Sequence, residues 1–261
     1  MNLELIPESA RGIASRRAKL AMEELEPTPL FYGDWNQTTF VHYEVDPEIL
    51  QPFVPFELDL YEGRSYVSLV AFTLDRLCPG MVNCAAGEWL MRPISPCRFL
   101  NVRTYVKHGG NTGIYFLVEW LSRLLKVPLG PVTYGLPYRP ARLTYQWNED
   151  AGSISNTIAR PDGCLAYMGS WNLDTPNESS TPGSLTEFLL ERYVAFTKWH
   201  GLVRHFRIWH EPWQQRPLEV EVQDDTLVRT TGHWFEQAKC IGGNVSPGVR
   251  EVWLGRPRFG N

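Results

Sequence analysis

The chain has 261 residues, of which 43% are hydrophobic and 21% charged, a balance that belongs to folded globular proteins and excludes a disordered one. Its formal net charge of -4 provides no global attraction to nucleic acid or to an anionic membrane. The 10 tryptophans are costly to expose, so several are expected to line a core, a pocket or an interface. The cysteines at 78, 84, 97, 164 and 240 match no zinc ribbon or paired redox motif and read as reduced thiols, with Cys78 and Cys84 able to approach each other. No signal-peptide pattern and no bilayer-length apolar stretch is seen, so a cytoplasmic protein is expected.

Residues 1–29 read as an N-terminal helical extension, with a helix over 9–25 that Ser9 caps and that Pro27 and Pro29 stop. Residues 30–261 read as a single β-rich domain. Its first strand spans Trp35 to Val45 by clear alternation, and Asp46-Pro47 starts a short helix. Phe56 to Tyr61 and Arg64 to Leu74 read as strands paired around Glu62-Gly63. Residues 75–97 read as an irregular loop, either surface or pocket wall.

Arg98 to His108 and Ile114 to Val118 make the strongest hairpin, turned by Gly109-Gly110-Asn111-Thr112-Gly113. Glu119 to Leu129 reads as a short helix. Further strands are expected at Tyr138 to Trp147, Ser153 to Ala159 and Leu165 to Ser170, the last two joined by Arg160-Pro161-Asp162-Gly163. Ser184 and Glu187 form a capping box for a helix whose apolar stripe runs from Leu185 through Phe188, Leu189 and Phe196 to Trp199. Strands follow at His205 to His210 and Leu218 to Val222, and the tail from Gly242 reads as irregular except for Val249 to Leu254. Many antiparallel strands with few helices give a mainly β (β-rich α+β) fold, barrel-like or sandwich-like, with peripheral helices.

The residues that can carry chemistry centre on Asn101-Val102-Arg103-Thr104-Tyr105-Val106. Period-two alternation sends Asn101, Arg103 and Tyr105 to one face. If that face points inward, Arg103 holds an anionic or carbonyl ligand. If it points outward, the sheet is simply solvated, and pairing with an internal carboxylate is the further alternative. Glu44, Glu88 and Glu119 are the candidate partners or acid/base groups. Tyr105, Tyr115 and Tyr138 are candidate hydrogen-bond donors to a bound carbonyl oxygen.

Lys107 shares the parity of Arg103 and is the candidate for a Schiff base, although its place beside a glycine turn favours a solvated rim. His42, in the first aromatic strand, is the candidate general base. No metal-ligand spacing, serine-hydrolase elbow, dinucleotide fingerprint or phosphate loop occurs, so no metal and no cofactor is expected.

Trp35-x-Gln37-x-Thr39-Phe40-x-His42-Tyr43, the Arg103 run, Gly113-Ile114-Tyr115-Phe116, Gly135-Leu136-Pro137-Tyr138, Phe188-Leu189-x-Glu191-Arg192-Tyr193 and His210-Glu211-Pro212-Trp213 together resemble the YqjF-like family of uncharacterised bacterial proteins. The likeness covers roughly residues 30–235. It implies an acetoacetate decarboxylase-like fold, a single antiparallel barrel-like domain around a central cavity, with the Arg103 strand in the cavity wall. Decarboxylases of that superfamily use an internal lysine near a second lysine. This sequence has no adjacent lysine pair, and Phe99 stands where related sequences often carry glutamate.

Three functions are carried forward. The first is binding of a small organic acid or carbonyl compound in a barrel cavity, by Arg103, Tyr105, Tyr115, Tyr138 and Glu119. The second is a non-catalytic accessory or interaction protein, whose aromatic excess would serve packing and a homo-oligomer contact. The third is a lysine-dependent carbonyl or decarboxylase-type enzyme using Lys107. Neither nucleic acid nor membrane is expected as a partner.

Overall fold

The structure, a computed structural model, describes residues 12–122, 130–199 and 201–259. Helix α1 (Ile13–Leu25) precedes the long strand β1 (Phe31–Val45). The short α2 (Pro47–Leu50) starts where the sequence places it, with Asp46 accepting from the Glu48 amide at 2.8 Å. The chain continues through β2 (Glu57–Leu58), β3 (Ser65–Pro79), α3 (Cys84–Met91), β4 (Cys97–His108) and β5 (Asn111–Leu121). Next come β6 (Tyr138–Pro140), β7 (Arg142–Asn148), β8 (Ser153–Arg160), β9 (Gly163–Ser170) and α4 (Leu185–Leu190). The last elements are β10 (Val194–Trp199), β11 (Leu202–Trp209), β12 (Arg216–Asp224), α5 (Thr226–Arg229), β13 (Lys239–Leu254) and β14 (Arg258–Phe259).

The strands β1, β3, β4, β5, β10, β11 and β13 pair in that order, and β13 returns to β1, so the ring is closed. Closure leaves these strands no open edge. All junctions are antiparallel except β5–β10, where Ala195 lies beside Ile114 and Phe196 beside Tyr115. Strands β12, β9, β8 and β7 branch from the first half of β13 as a second sheet. The ring is thus covered on one side, and alternation divides its side chains between two cores. Phe40, Val70, Phe72, Tyr105, Ile114, Phe116, Phe206 and Ile208 pack inside it. Val41, Leu69, Val102, Val118 and Trp120 face outward and join Ile154, Ile158, Leu165 and Tyr167 of the second sheet. No helix among the described residues is long and apolar enough to cross a membrane.

Several elements differ from the sequence reading. The capping box forms, Ser184 Oγ accepting from the Glu187 amide at 3.2 Å, but the helix stops at Leu190 and Val194–Trp199 is a strand. The run Tyr193-Val194-Ala195-Phe196-Thr197 suits a pleated surface, and pairing to β5 and β11 overrides the helical stripe. Glu119 to Leu121 extends β5 rather than starting a helix, and residues 123–129 lie outside the described residues, as does Ser9. Residues 56–61 pair through β2 with β4, not with β3, although the Glu62-Gly63 turn does bridge Tyr61 to Arg64. The 75–97 segment contains the end of β3 and helix α3.

The supposedly irregular tail is the longest strand, β13. Its glycines hid it. At Gly248, φ is +121° and an added Cβ would sit 2.0 Å from the Trp35 carbonyl oxygen, so only glycine lets β13 lie this close to β1. Gly248→Ala is therefore expected to destabilise the fold by about 2 kcal/mol or more, whereas Gly109→Ala, at a positive φ with open space around it, costs about 1 kcal/mol. Urea unfolding of the two variants checks the order, and equal effects would contradict barrel closure at Gly248.

Candidate functional site

The inward face of the ring encloses a cavity of about 130 Å³. Its walls are mainly apolar, with Trp35, Phe72, Leu74, Phe99, Phe116 and Ile208 among them. Met91 of α3 and Ile94 contribute as well, which makes the 75–97 segment a pocket wall. Into this apolar space project Thr38, Asn101, Arg103, Glu119, Tyr138, Arg192, His210 and Trp213.

Two β-bulges decide which residues enter. In β1 the register shifts between Asn36 and Thr39, with Gln37 at φ +52°. Thr38, Phe40 and His42 face inward after it, and Trp35 faces inward before it, although strict alternation would separate Trp35 from them. In β5, Val102 opposes Val118 while Arg103 opposes Phe116, so Leu117 is the extra residue. Without that bulge Glu119 would follow Tyr115 outward. With it, Glu119 lies inside opposite Asn101, and Tyr115 stays on the outer face against Phe56 at 5.6 Å between ring centroids. Tyr115 is accordingly not part of the cavity wall.

Arg103 is 6% exposed. Its Nη2 donates to the Leu189 carbonyl at 3.0 Å, and the Tyr105 hydroxyl donates to the same oxygen at 2.9 Å. That carbonyl belongs to the last turn of α4, whose final carbonyls have no helical partner and carry the negative end of the helix dipole. Arg192 serves the same end, donating from Nε to the Phe188 carbonyl at 2.6 Å and from Nη1 to Asp59 at 2.7 Å. Arg192 therefore has a carboxylate partner. Among the described residues no carboxylate lies within 4.0 Å of Arg103, and its Nε has no hydrogen-bond partner. Glu191 is the acid close enough to feel its charge. Burial raises that carboxyl to about 7, while the Tyr193 hydroxyl, the Trp213 amide and Arg103 pull it back.

Glu119 is 3% exposed, and burial alone pushes its carboxyl up to about 8. Its Oε2 has no partner. The same is true of Thr38 Oγ1, Asn101 Oδ1 and Trp213 Nε1, so five residues lining one cavity each carry an unsatisfied buried polar atom. Such atoms cost about 1–3 kcal/mol apiece when left unmade. Tyr138 also lines the cavity beside Glu119, and burial and that neighbour raise its hydroxyl well above its usual range.

The other candidates are placed elsewhere. Tyr105 lies inside the ring, but its hydroxyl is spent on Leu189 and on Ser68 at 2.5 Å. His42 has both nitrogens engaged, Nδ1 with Ser68 Oγ at 2.7 Å and Nε2 with Asn244 Oδ1 at 3.1 Å. Burial lowers it to about 3, Asn244 opposing and Arg103 adding to the effect, so it is a poor base. Lys107 is at the rim, paired with Asp59 at 3.4 Å and 45% exposed in its side chain. Glu44 and Glu88 pair with Arg64 and Arg76 away from the cavity. Among the described residues no group of three or more His, Cys, Asp or Glu could hold a metal ion. Sequence reasoning missed Thr38 and Trp213, because neither residue type advertises a ligand site.

The titration of Glu119 has a direct consequence. Between its ordinary value of 4.5 and about 8, the folded chain keeps a proton that the unfolded chain loses. Its contribution to stability is therefore full below pH 4.5 and is lost as pH rises through 8. Glu119→Gln is expected to match the parent near pH 5 and to exceed it at pH 8, the gap growing by up to about 1.4 kcal/mol per pH unit. Urea unfolding of both proteins across this range checks the slope, and a pH-independent gap would mean that Glu119 is ionised.

These features can be set beside known proteins. "Uncharacterized protein YqjF" of Bacillus subtilis (strain 168) is 28% identical over 200 residues, covering 76% of this chain and 80% of its own. The acetoacetate decarboxylase of Legionella pneumophila superposes with a TM-score of 0.62 at 14% identity, covering 98% of each chain. The enduracididine biosynthesis enzyme MppR, in its complex with pyruvate, superposes with a TM-score of 0.57 at 14% identity over 89% of this chain and 91% of that one. The fold is thus acetoacetate decarboxylase-like. The family model described as an uncharacterized conserved protein, DUF2071, matches residues 33–247, and the chain belongs to that family.

Proposed function

We propose that the protein binds a small organic acid or carbonyl compound inside the barrel, with Arg103 holding its anionic group. The observation that carries this reading is a buried guanidinium without a carboxylate, bordering a cavity. Desolvating a cation is expensive, and a single backbone carbonyl is weak compensation. An anion against the guanidinium supplies the missing charge. Cavity size agrees: an engineered cavity of roughly 150 Å³ admits benzene, so a guest of about benzene's size fits. The likeness to MppR, whose structure is described with pyruvate, supports the same ligand class.

A Schiff-base route through Lys107 has less support, because Lys107 is paired at the rim and no lysine appears among the described lining residues. Lys126 lies outside the described residues.

Arg103→Met is the test. Calorimetry with a panel of small carboxylates, carbonyl compounds and neutral analogues should find a carboxylate ligand for the parent protein. The substitution should weaken it at least about 30-fold, near 2 kcal/mol, and should cost folding much less than that. Unchanged affinity would remove Arg103 from the site.

A further inference from the structure

The cavity is lined by a buried guanidinium, Arg103, and a buried carboxyl group, Glu119, and neither has an ion-pair partner. Arg103 has no carboxylate within 4.0 Å, and Glu119 has no cation within that distance, among the described residues. They do not compensate each other. Arg103 and Asn101 are two residues apart on β4, and Glu119 stands opposite Asn101, so the backbone positions of Arg103 and Glu119 are offset by about 7 Å along the wall.

The unsatisfied atoms sort by the same division. Two are donors, the Arg103 Nε–H and the Trp213 Nε1–H. Both residues border Phe40, the guanidinium carbon 5.8 Å from the ring centre and the Trp213 ring 5.1 Å from it. At the other end are Asn101 Oδ1, which only accepts, and Glu119 Oε2, which only accepts once ionised. Thr38 Oγ1 can do either. One end asks for acceptors and negative charge, the other for donors and positive charge, and the walls between are apolar.

We propose that the guest is a zwitterion, a small amino acid with an apolar body, whose carboxylate lies on Arg103 and Trp213 and whose ammonium group lies on Glu119 and Asn101. This rests on the reading of Arg103 as an anion anchor and adds the second pole. A keto acid or hydroxy acid of the same shape satisfies Arg103 but brings no countercharge to Glu119.

The inference carries a signature. In the empty protein at pH 7 Glu119 holds a proton, since burial raises it to about 8. Asn101 on β4 and Tyr138 on β6 stand beside it in the pairing register. Neither is charged at neutral pH, and the cavity is also lined by Arg103, by Arg192, which pairs with Asp59, and by the neutral His210. An ammonium group placed against Glu119 favours its ionised form, so the proton leaves to solvent as the amino acid binds.

The experiment is isothermal titration calorimetry at pH 7 in two buffers of different ionisation enthalpy. The probes are L-valine, D-valine and 4-aminobutyrate, against 2-ketoisovalerate, 2-hydroxyisovalerate and isobutylamine. An amino acid should bind at least tenfold more tightly than every probe lacking either charge, with release of close to one proton. Glu119→Gln should weaken that amino acid at least tenfold and abolish proton release, and should weaken the keto acid far less. If keto or hydroxy acids bind as tightly as the amino acid, or bind while no amino acid does, the zwitterion is overturned while the Arg103 anchor stands. If amino acids bind with no proton release, or Glu119→Gln leaves them unaffected, Glu119 is not the ammonium partner and the proposal falls.

Discussion

The contact between Arg103 and the Leu189 carbonyl is the constraint around which the interior is arranged. It brings a permanent positive charge to the end of α4 inside a closed barrel, where the last helical carbonyls need donors. Arg192 and Tyr105 serve the same helix end, and Asp59 neutralises Arg192 but not Arg103. The charge left over reaches its neighbours. It adds to the burial that lowers His42 to about 3 and His210 to about 4, and it opposes the burial that raises Glu191. The guanidinium thus disfavours further positive charge in this part of the interior.

Geometry reaches this state through two irregularities. The bulge in β1 admits Trp35 and Thr38 to the same interior, and the bulge in β5 turns Glu119 inward while leaving Tyr115 outside. Each re-aims a side chain that regular pleating would send elsewhere. The closed ring holds both in register, so the positions of Glu119 and Arg103 are set by backbone pairing rather than by loops. Short α4 supplies the carbonyls, and α3 with Ile94 closes the apolar wall.

Much of this was legible in the residues. Alternation placed Asn101, Arg103 and Tyr105 on one face and Val102 and Val106 on the other, and the two cores divide that way. The Asp46 cap, the Ser184 capping box and the Arg160 to Gly163 turn also form as their chemistry requires. What was illegible depends on partners far along the chain. The Val194–Trp199 strand carries a helical stripe, and only pairing with β5 and β11 decides against it. The glycines of β13 look like loop until β1 is laid beside them. Bulges leave no mark that alternation can read, so the split between Tyr115 and Glu119 could not be foreseen. Trp213 and Thr38 are recognised as cavity-lining residues only from the folded chain.

The most direct measurement of whether the Arg103 charge faces a guest space is a crystal structure of the protein soaked in bromide, located by its anomalous scattering. The account predicts a bromide ion inside the barrel in contact with the Arg103 guanidinium. An interior free of halide, with Arg103 turned onto the Glu191 carboxylate, would contradict it.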